Sequence, residues 1–466
     1  MGDRAREPAS DRFGIAVSLA ALAAPMLLGQ AGQVIVQLTD TYLIGHLGAV
    51  PLAGAALAGN FVTFAMYLAF GAVGAVAPMV ARAHGAGDRL TTTRTARAGM
   101  VLALLAGAAV AAALSIVAPL LSSLGQPADV AAAARGYLLL IAWSLPGAIL
   151  AVVAGQVAES MDRPWPVFGF MAAAVVLNGF LAWCLVFGHA GCPALGLVGA
   201  GVATFVARWI HAVALVAWVF ADPRLGSPRP GEVSAGVGAC LRRLLAEGFP
   251  VAAQDALEGG AFAAGAVMLG WVGTEALAAN QVTVGIASLA WMVPVSLSMA
   301  TAVRVAQAAG AGDLHRARRT GIVALGFGTA VMACCSVVYL AGGRWLAGLF
   351  TDDRTVAEMA GTLVAIAGIY QVSDVIQSVS LGALRGMLDN RVPMVANFVC
   401  YWLLSLPTVW WLTFRLGWGA AGVWAGYLPW MIATGLFFLV RFLRLTSARH
   451  PPTRMTVVGP VGPHGS

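Results

Sequence analysis

Uncharged apolar blocks, each long enough to cross a hydrocarbon core of ~30 Å, recur from one end of this chain to the other. Reading them against charges and turn residues predicts spans near 13–39, 51–81, 95–118, 128–156, 165–188 and 196–220. A second set follows near 242–269, 276–308, 319–342, 355–384, 392–415 and 419–443. Lipid offers the backbone no hydrogen bonds, so segments of this length must be helices. The expected fold class is an all-α polytopic membrane protein with twelve transmembrane helices. Only 10% of the 466 residues are charged, against about 25% in soluble domains. Ala21-Leu22-Ala23 imitates a signal-peptide cleavage string, but the apolar run continues past it and reads as a first span.

All 27 basic residues are arginine. Without lysine the chain has neither a P-loop nor the amine of a Schiff-base enzyme. The net charge of +7 is not a nucleic-acid footprint, because the arginines fall between apolar blocks as orientation signals do. With a cytoplasmic N-terminus, only Arg135, Arg344, Arg354 and Arg415 lie outside and only Arg208 and Arg304 lie within spans. The remaining arginines are inside, which predicts two cytoplasmic termini; the expected location is a bacterial-type plasma (inner) membrane. The six cysteines show no CxxC or CxxH spacing, so neither disulfides nor a zinc site is expected. No HExxH, GxSxG or paired intramembrane histidines point to an enzyme.

The chain repeats itself. A shift of 225 carries Gly45, Gly48, Leu52 and Ala53 onto Gly270, Gly273, Leu277 and Ala278. It also carries Gly85-Ala86-Gly87-Asp88 onto Gly310-Ala311-Gly312-Asp313, turns expected to stop helices on the cytoplasmic side. Six spans per copy give both copies one orientation, so two lobes related by an axis along the membrane normal are expected. The boundaries are an N-lobe at 1–220, a Pro/Gly-rich cytoplasmic linker at 221–241, a C-lobe at 242–445 and a flexible cytoplasmic tail at 446–466.

Polar residues interrupt this apolar background in stripes. Gln30, Gln33, Gln37 and Asp40 follow three- and four-residue steps on one face of the first span, beyond Pro25. Gln254, Asp255 and Glu258 follow Pro250 in the seventh; two carboxylates one turn apart repel unless a cation or proton separates them. Asp255 can alternatively turn toward another helix and be paired there. The tenth span presents Tyr370, Ser373, Asp374, Gln377 and Ser378 on one face, an oxygen-rich surface suited to a hard monovalent cation or a proton. A carboxylate at mid-bilayer depth costs roughly 2.5–3.5 kcal/mol, which makes Asp40, Glu258 and Asp374 functional candidates. Asn60, Thr63 and Tyr67, Asn280, Gln281 and Thr283, and Asn178 read more readily as packing residues than as ligands. Arg208 needs an anionic or carbonyl partner, with Asp40 one option, and Arg304 lies close enough to a span end to snorkel.

Several strings together resemble the multidrug and toxic compound extrusion family, NorM-type branch, over essentially the whole chain. They are T-D-T-Y-L-I-G-H-L-G at 39–48, A-R-A-H-G-A-G-D at 81–88, Pro250 to Glu258, and Y-Q-V-S-D-V-I-Q-S-V-S-L-G-A-L-R-G at 370–386. The resemblance implies a V-shaped pair of six-helix lobes exporting organic cations in exchange for Na⁺ or H⁺, with no other cofactor. It places coupling on Glu258 and Asp374 with Tyr370 their partner, and on Asp40 in the N-lobe, while Asp255 joins the coupling candidates by its spacing to Glu258; Glu258 and Asp374 are the expected Na⁺ ligands if Na⁺ is the driving ion. A substrate cavity is expected at Asp40, Gln33, Gln37, Asn178, Gln281 and Gln377. Members with a second N-lobe acid would carry it at 182, where this chain has Ala182, which shifts coupling toward the C-lobe. The implied partners are lipophilic cations and the bilayer, with the protein monomeric. The alternative is a flippase for lipid-linked saccharides, which favours a cationic cavity.

Overall fold

The structure, a computed structural model, describes residues 9–123, 127–225 and 230–447. Linker residues 226–229, the side chain of Tyr67 and the predicted tail beyond residue 447 lie outside the described residues. Twelve long helical elements carry the described chain. The first half contains α1 Ala9–Gly45, α2 Ala49–Gly85, α3 Arg89–Ser123, α4 Ala128–Ser160, α5 Pro164–Phe187 and α6 Gly196–Ala221. The second contains α7 Pro230–Val272, α8 Thr274–Gly310, α9 Leu314–Gly348, α10 Arg354–Gly386, α11 Arg391–Arg415 and α12 Gly419–Leu445. Eleven of these helices are long and apolar enough to cross a membrane. The exception is α7, the helix diluted by Gln254, Asp255 and Glu258.

Three details differ from the sequence expectation. Residues 230–241, expected as linker, form the first turns of α7; Pro230 opens the helix, where its missing N–H does no harm. The second span breaks near Gly74, giving Ala49–Val73 and Val76–Gly85. Within α11 the α-helix loosens into π-helical turns at Phe398–Ser405 and Trp411–Arg415. Such turns re-aim side chains within a helix and are frequent at functional sites.

Lipid tails are as apolar as leucine, so helices here gain from close packing rather than from escaping water. Small residues allow that approach: Ala134, Ala142 and Ala154 are buried in the first half's core beside Leu138, Leu145 and Ile149. The second half buries Leu363, Tyr401, Val409 and Tyr427 together. A third cluster joins the halves, setting Leu19, Leu22 and Met26 of α1 against Leu297 and Val303 of α8.

The repeat is visible in the turns. Asp88 accepts a hydrogen bond from Thr91 N at 2.9 Å and starts α3; Asp313 accepts one from Arg316 N at 2.8 Å and starts α9. Just before each turn the two copies touch. A Cβ on Gly85 would collide with the Gln307 carbonyl, and one on Gly310 with the Arg82 carbonyl, so neither position has room for a methyl group. Beside this contact Arg304 pairs with Asp162. Gln307 donates to Ser160 O at 3.1 Å and to Asp162 Oδ1 at 3.2 Å. Arg304 thus reaches the span end as expected, and there it bonds a turn residue of the other half. Further along, Gln30 of α1 donates to Ser296 Oγ of α8 at 3.1 Å. The halves are thus fastened from the arginine-rich end up to the Gln30–Ser296 pair.

Candidate functional site

In the second half, α7, α10 and α11 bring their polar residues into one network. Tyr401 donates its hydroxyl to Glu258 Oε1 at 3.2 Å and accepts from Gln377 Nε2 at 3.0 Å. Asn397, one turn before Tyr401 on α11, donates to Glu258 Oε2 at 3.5 Å. Asp374 accepts from Ser378 at 3.2 Å on its own helix, and Ser378 O is held by Ser298 of α8 at 2.6 Å. Glu258 and Asp374 lie close enough to repel each other. Neither has an ion-pair partner among the described residues.

Asp255 turns away to α10, where Arg385 donates to it at 2.8 Å and to Gln254 Oε1 at 3.3 Å. That arginine is therefore already engaged with Asp255, so Glu258 feels its charge only at longer range. Tyr370 packs edge-on against Trp424, with ring centroids 5.9 Å apart, and Trp424 donates to Asn280 Oδ1 at 3.1 Å. The Tyr370 hydroxyl and Asn397 Oδ1 are both enclosed without a partner. Two carboxylates and two unsatisfied neutral oxygens form a donor set matched to a small hard cation or to shared protons. Among the described residues no group of three or more His, Cys, Asp or Glu side chains is assembled as a metal cluster, so neutral oxygens would have to complete any cation's shell.

The first half gathers a different set. Asp40 of α1 accepts a long hydrogen bond from Thr204 at 3.4 Å, and Thr204 accepts from Asn178 Nδ2 at 3.2 Å. Asp40 Oδ1 and Asn178 Oδ1 are enclosed and unpaired. One turn beyond Thr204, Arg208 donates to Ser144 Oγ of α4 at 2.8 Å. It forms no ion pair with Asp40, yet the two feel each other's charge. Ala182 is fully buried and adds no acid.

The residues expected to line a cavity fall into two groups. Gln33, Gln37 and Gln281 are exposed. Asn178 and Gln377 are buried and already bonded to Thr204 and Tyr401. Sequence reasoning missed Tyr401, Asn397, Thr204, Ser144 and the Arg385 pairing. The Asn397–Tyr401 spacing of four within an apolar span was the available signal for the first two.

Comparison with known proteins agrees with this architecture. A family model described as MatE matches residues 25–184 and 250–411, segments whose starts are separated by the repeat offset. A probable multidrug resistance protein NorM of Rhizobium meliloti is 32% identical over 436 residues, spanning 91% of this chain and 92% of its own. One of the same name from Bradyrhizobium diazoefficiens is 34% identical over 415 residues, 87% of this chain and 88% of its own. In fold, the Vibrio cholerae MATE transporter VcmN in the bent form superposes with a TM-score of 0.85 at 22% identity. That match covers 93% of this chain and 98% of that one. This multi-pass membrane protein, with its duplicated six-helix halves, belongs to the MatE family.

Proposed function

We propose that this protein is a secondary active multidrug efflux antiporter that exports lipophilic organic cations in exchange for Na⁺ or H⁺. The observation that carries the reading is the Glu258–Asp374 network. Two neighbouring carboxylates in the membrane interior, with no cation of their own, are tolerable only when a proton or cation joins them. A site that must be occupied by the driving ion in one state and by substrate in another has the differential affinity that exchange requires. One charge moved through 100 mV yields ~2.3 kcal/mol, enough to drive such a cycle.

The gate follows from the fastened end. With the arginine-rich end cytoplasmic, both termini lie inside and the Arg304–Asp162 and Gln307 contacts close the cytoplasmic side. Glutamines facing lipid would lie unsatisfied, so exposed Gln33, Gln37 and Gln281 fit a water-filled gap on the opposite side. The protein would work as a monomer in a bacterial inner membrane, performing transport rather than catalysis. A lipid-linked saccharide flippase is the less suited reading: Arg208 is the one arginine in the polar centres without a carboxylate partner, too little to hold a pyrophosphate against three acids.

The test is ethidium efflux from proteoliposomes under an imposed Na⁺ gradient and, separately, an imposed pH gradient. One gradient should drive efflux in the native protein and fail to do so in E258Q and D374N. Undiminished gradient-driven efflux in both variants would refute the coupling assignment.

A further inference from the structure

On α7, Arg242, Leu245, Ala246 and Phe249 follow three- and four-residue steps and share one helix face. On α11, Arg391, Met394, Val395 and Phe398 do the same. Both helices start at the arginine-rich end, so each face sets an arginine there and apolar side chains deeper in. Between them runs a groove of about 680 Å³, with Phe249 and Pro250 on one wall and Arg391, Met394 and Val395 on the other. That volume falls within the roughly 300–1,000 Å³ of ligand pockets.

The groove is a fixed feature of this helix crossing. Asn390 donates to Glu247 O at 3.3 Å and to Glu247 Oε2 at 3.1 Å. Further in, Trp402 donates to Leu257 O at 2.9 Å. A different face of α7 meets α2, where Gly248 lies against the Ala72 carbonyl. The two halves are fastened together at this end, so exposed Leu245, Phe249 and Val395 face the bilayer instead of the gap between the halves.

Charge distinguishes the groove from an ordinary seam between helices. Arg242 and Arg391 are exposed, and neither belongs to an ion pair among the described residues. The acids nearest to them in sequence are already bonded, Glu247 by Asn390 and Asp389 by Arg441. With the arginine-rich end cytoplasmic, these two arginines meet the leaflet whose surface is negative.

The geometry points to a binding site for an anionic phospholipid of the cytoplasmic leaflet, its phosphate held by Arg242 and Arg391 and one acyl chain in the groove. A guanidinium matches phosphate through paired hydrogen bonds. The bound lipid clasps α7 to α11, the helices that bring Glu258 and Tyr401 together. Binding itself requires no assumption about transport.

The experiment measures dissociation constants for phosphatidylglycerol and for phosphatidylcholine of the same chain length, by native mass spectrometry of the purified full-length protein. The native protein should favour phosphatidylglycerol by about tenfold, the scale expected of two arginines near a headgroup. In R242Q/R391Q that preference should fall to within about twofold; R391Q alone, which stands in if the double variant does not fold, should bring it to about threefold. A246W fills the groove and keeps both arginines, and it should weaken phosphatidylglycerol binding by about tenfold. R89Q removes an exposed arginine at the same end of the first half and should leave the preference unchanged. Four results would each overturn the site: a native preference under about twofold, an unchanged preference in R242Q/R391Q, an undiminished affinity in A246W, or an equal loss in R89Q. The last would reduce the effect to general attraction between a basic surface and anionic lipid.

Discussion

In the first half, Asp40 shares its interior with Arg208, so the carboxylate is offset by a fixed charge a few residues from Thr204. In the second half, Arg385 is taken up by Asp255, and Glu258 and Asp374 are left with hydroxyl and amide neighbours. The first centre sets one acid near one cation, whereas the second sets three acids around one arginine that Asp255 already holds. Identical scaffolds therefore suit different tasks. On the proposed exchange cycle, the duplicated turns, caps and glycine contacts would serve the movement, and the unduplicated acids would divide ion coupling from substrate recognition.

The largest expected effect separates these roles directly. Removing both second-half acids in E258Q/D374N should lower gradient-driven dye efflux by about 100-fold, since no exchangeable cation remains bound. D40N should reduce efflux while the residual flux still follows the driving ion. If D40N abolishes the ion dependence as completely as the double variant, the division between halves collapses. Next in size is Y401F. Losing the hydroxyl that joins Glu258 to Gln377 should weaken binding of the driving ion by about tenfold in a direct titration. An unchanged affinity would remove Tyr401 from the site.

D255N probes the second half's engaged acid. Both partners are partly exposed, at 37% for Asp255 and 24% for Arg385, so the pair contributes modestly. The expectation is a Tm lower by about 2–4 °C with ion-dependent efflux retained at a reduced rate. A complete loss of ion dependence would return Asp255 to the coupling group. The smallest effect is S144A: removing the hydroxyl that accepts from Arg208 should lower Tm by about 2–3 °C. An unchanged Tm would mean that Ser144 does not hold the guanidinium.

Much of the fold could be read in advance because span length and repeat spacing are set by membrane thickness and backbone geometry. Gly48 and Gly273 or Asp88 and Asp313 announce their helix ends locally, through turn and cap chemistry. The site was legible only where a residue violated its surroundings, as Asp40, Glu258 and Asp374 do. Tyr401 and Asn397 escaped because tyrosine and asparagine are individually unremarkable in a membrane helix. What gives them a role is that α11 crosses α7 beside Glu258, and π-helical turns adjust how its side chains present. Likewise the fate of Asp255 depended on Arg385, 130 residues away, and no local pattern encodes that choice. The break near Gly74 lies where α2 meets Val251 of α7, and the first turns of α7 lie against Arg94 of α3, contacts that no local pattern encodes.

The contact between Gly85 and Gly310 has a mechanical consequence. Each glycine lies against the other copy's backbone, so the joint is isologous, like the interface of a two-fold dimer. A joint made of main chain has no side chains to slacken by rotamer changes, and a gap there forfeits its attraction within a fraction of an ångström. In the proposed exchange cycle this end would therefore part all at once, as a latch with two positions, and not by gradual loosening.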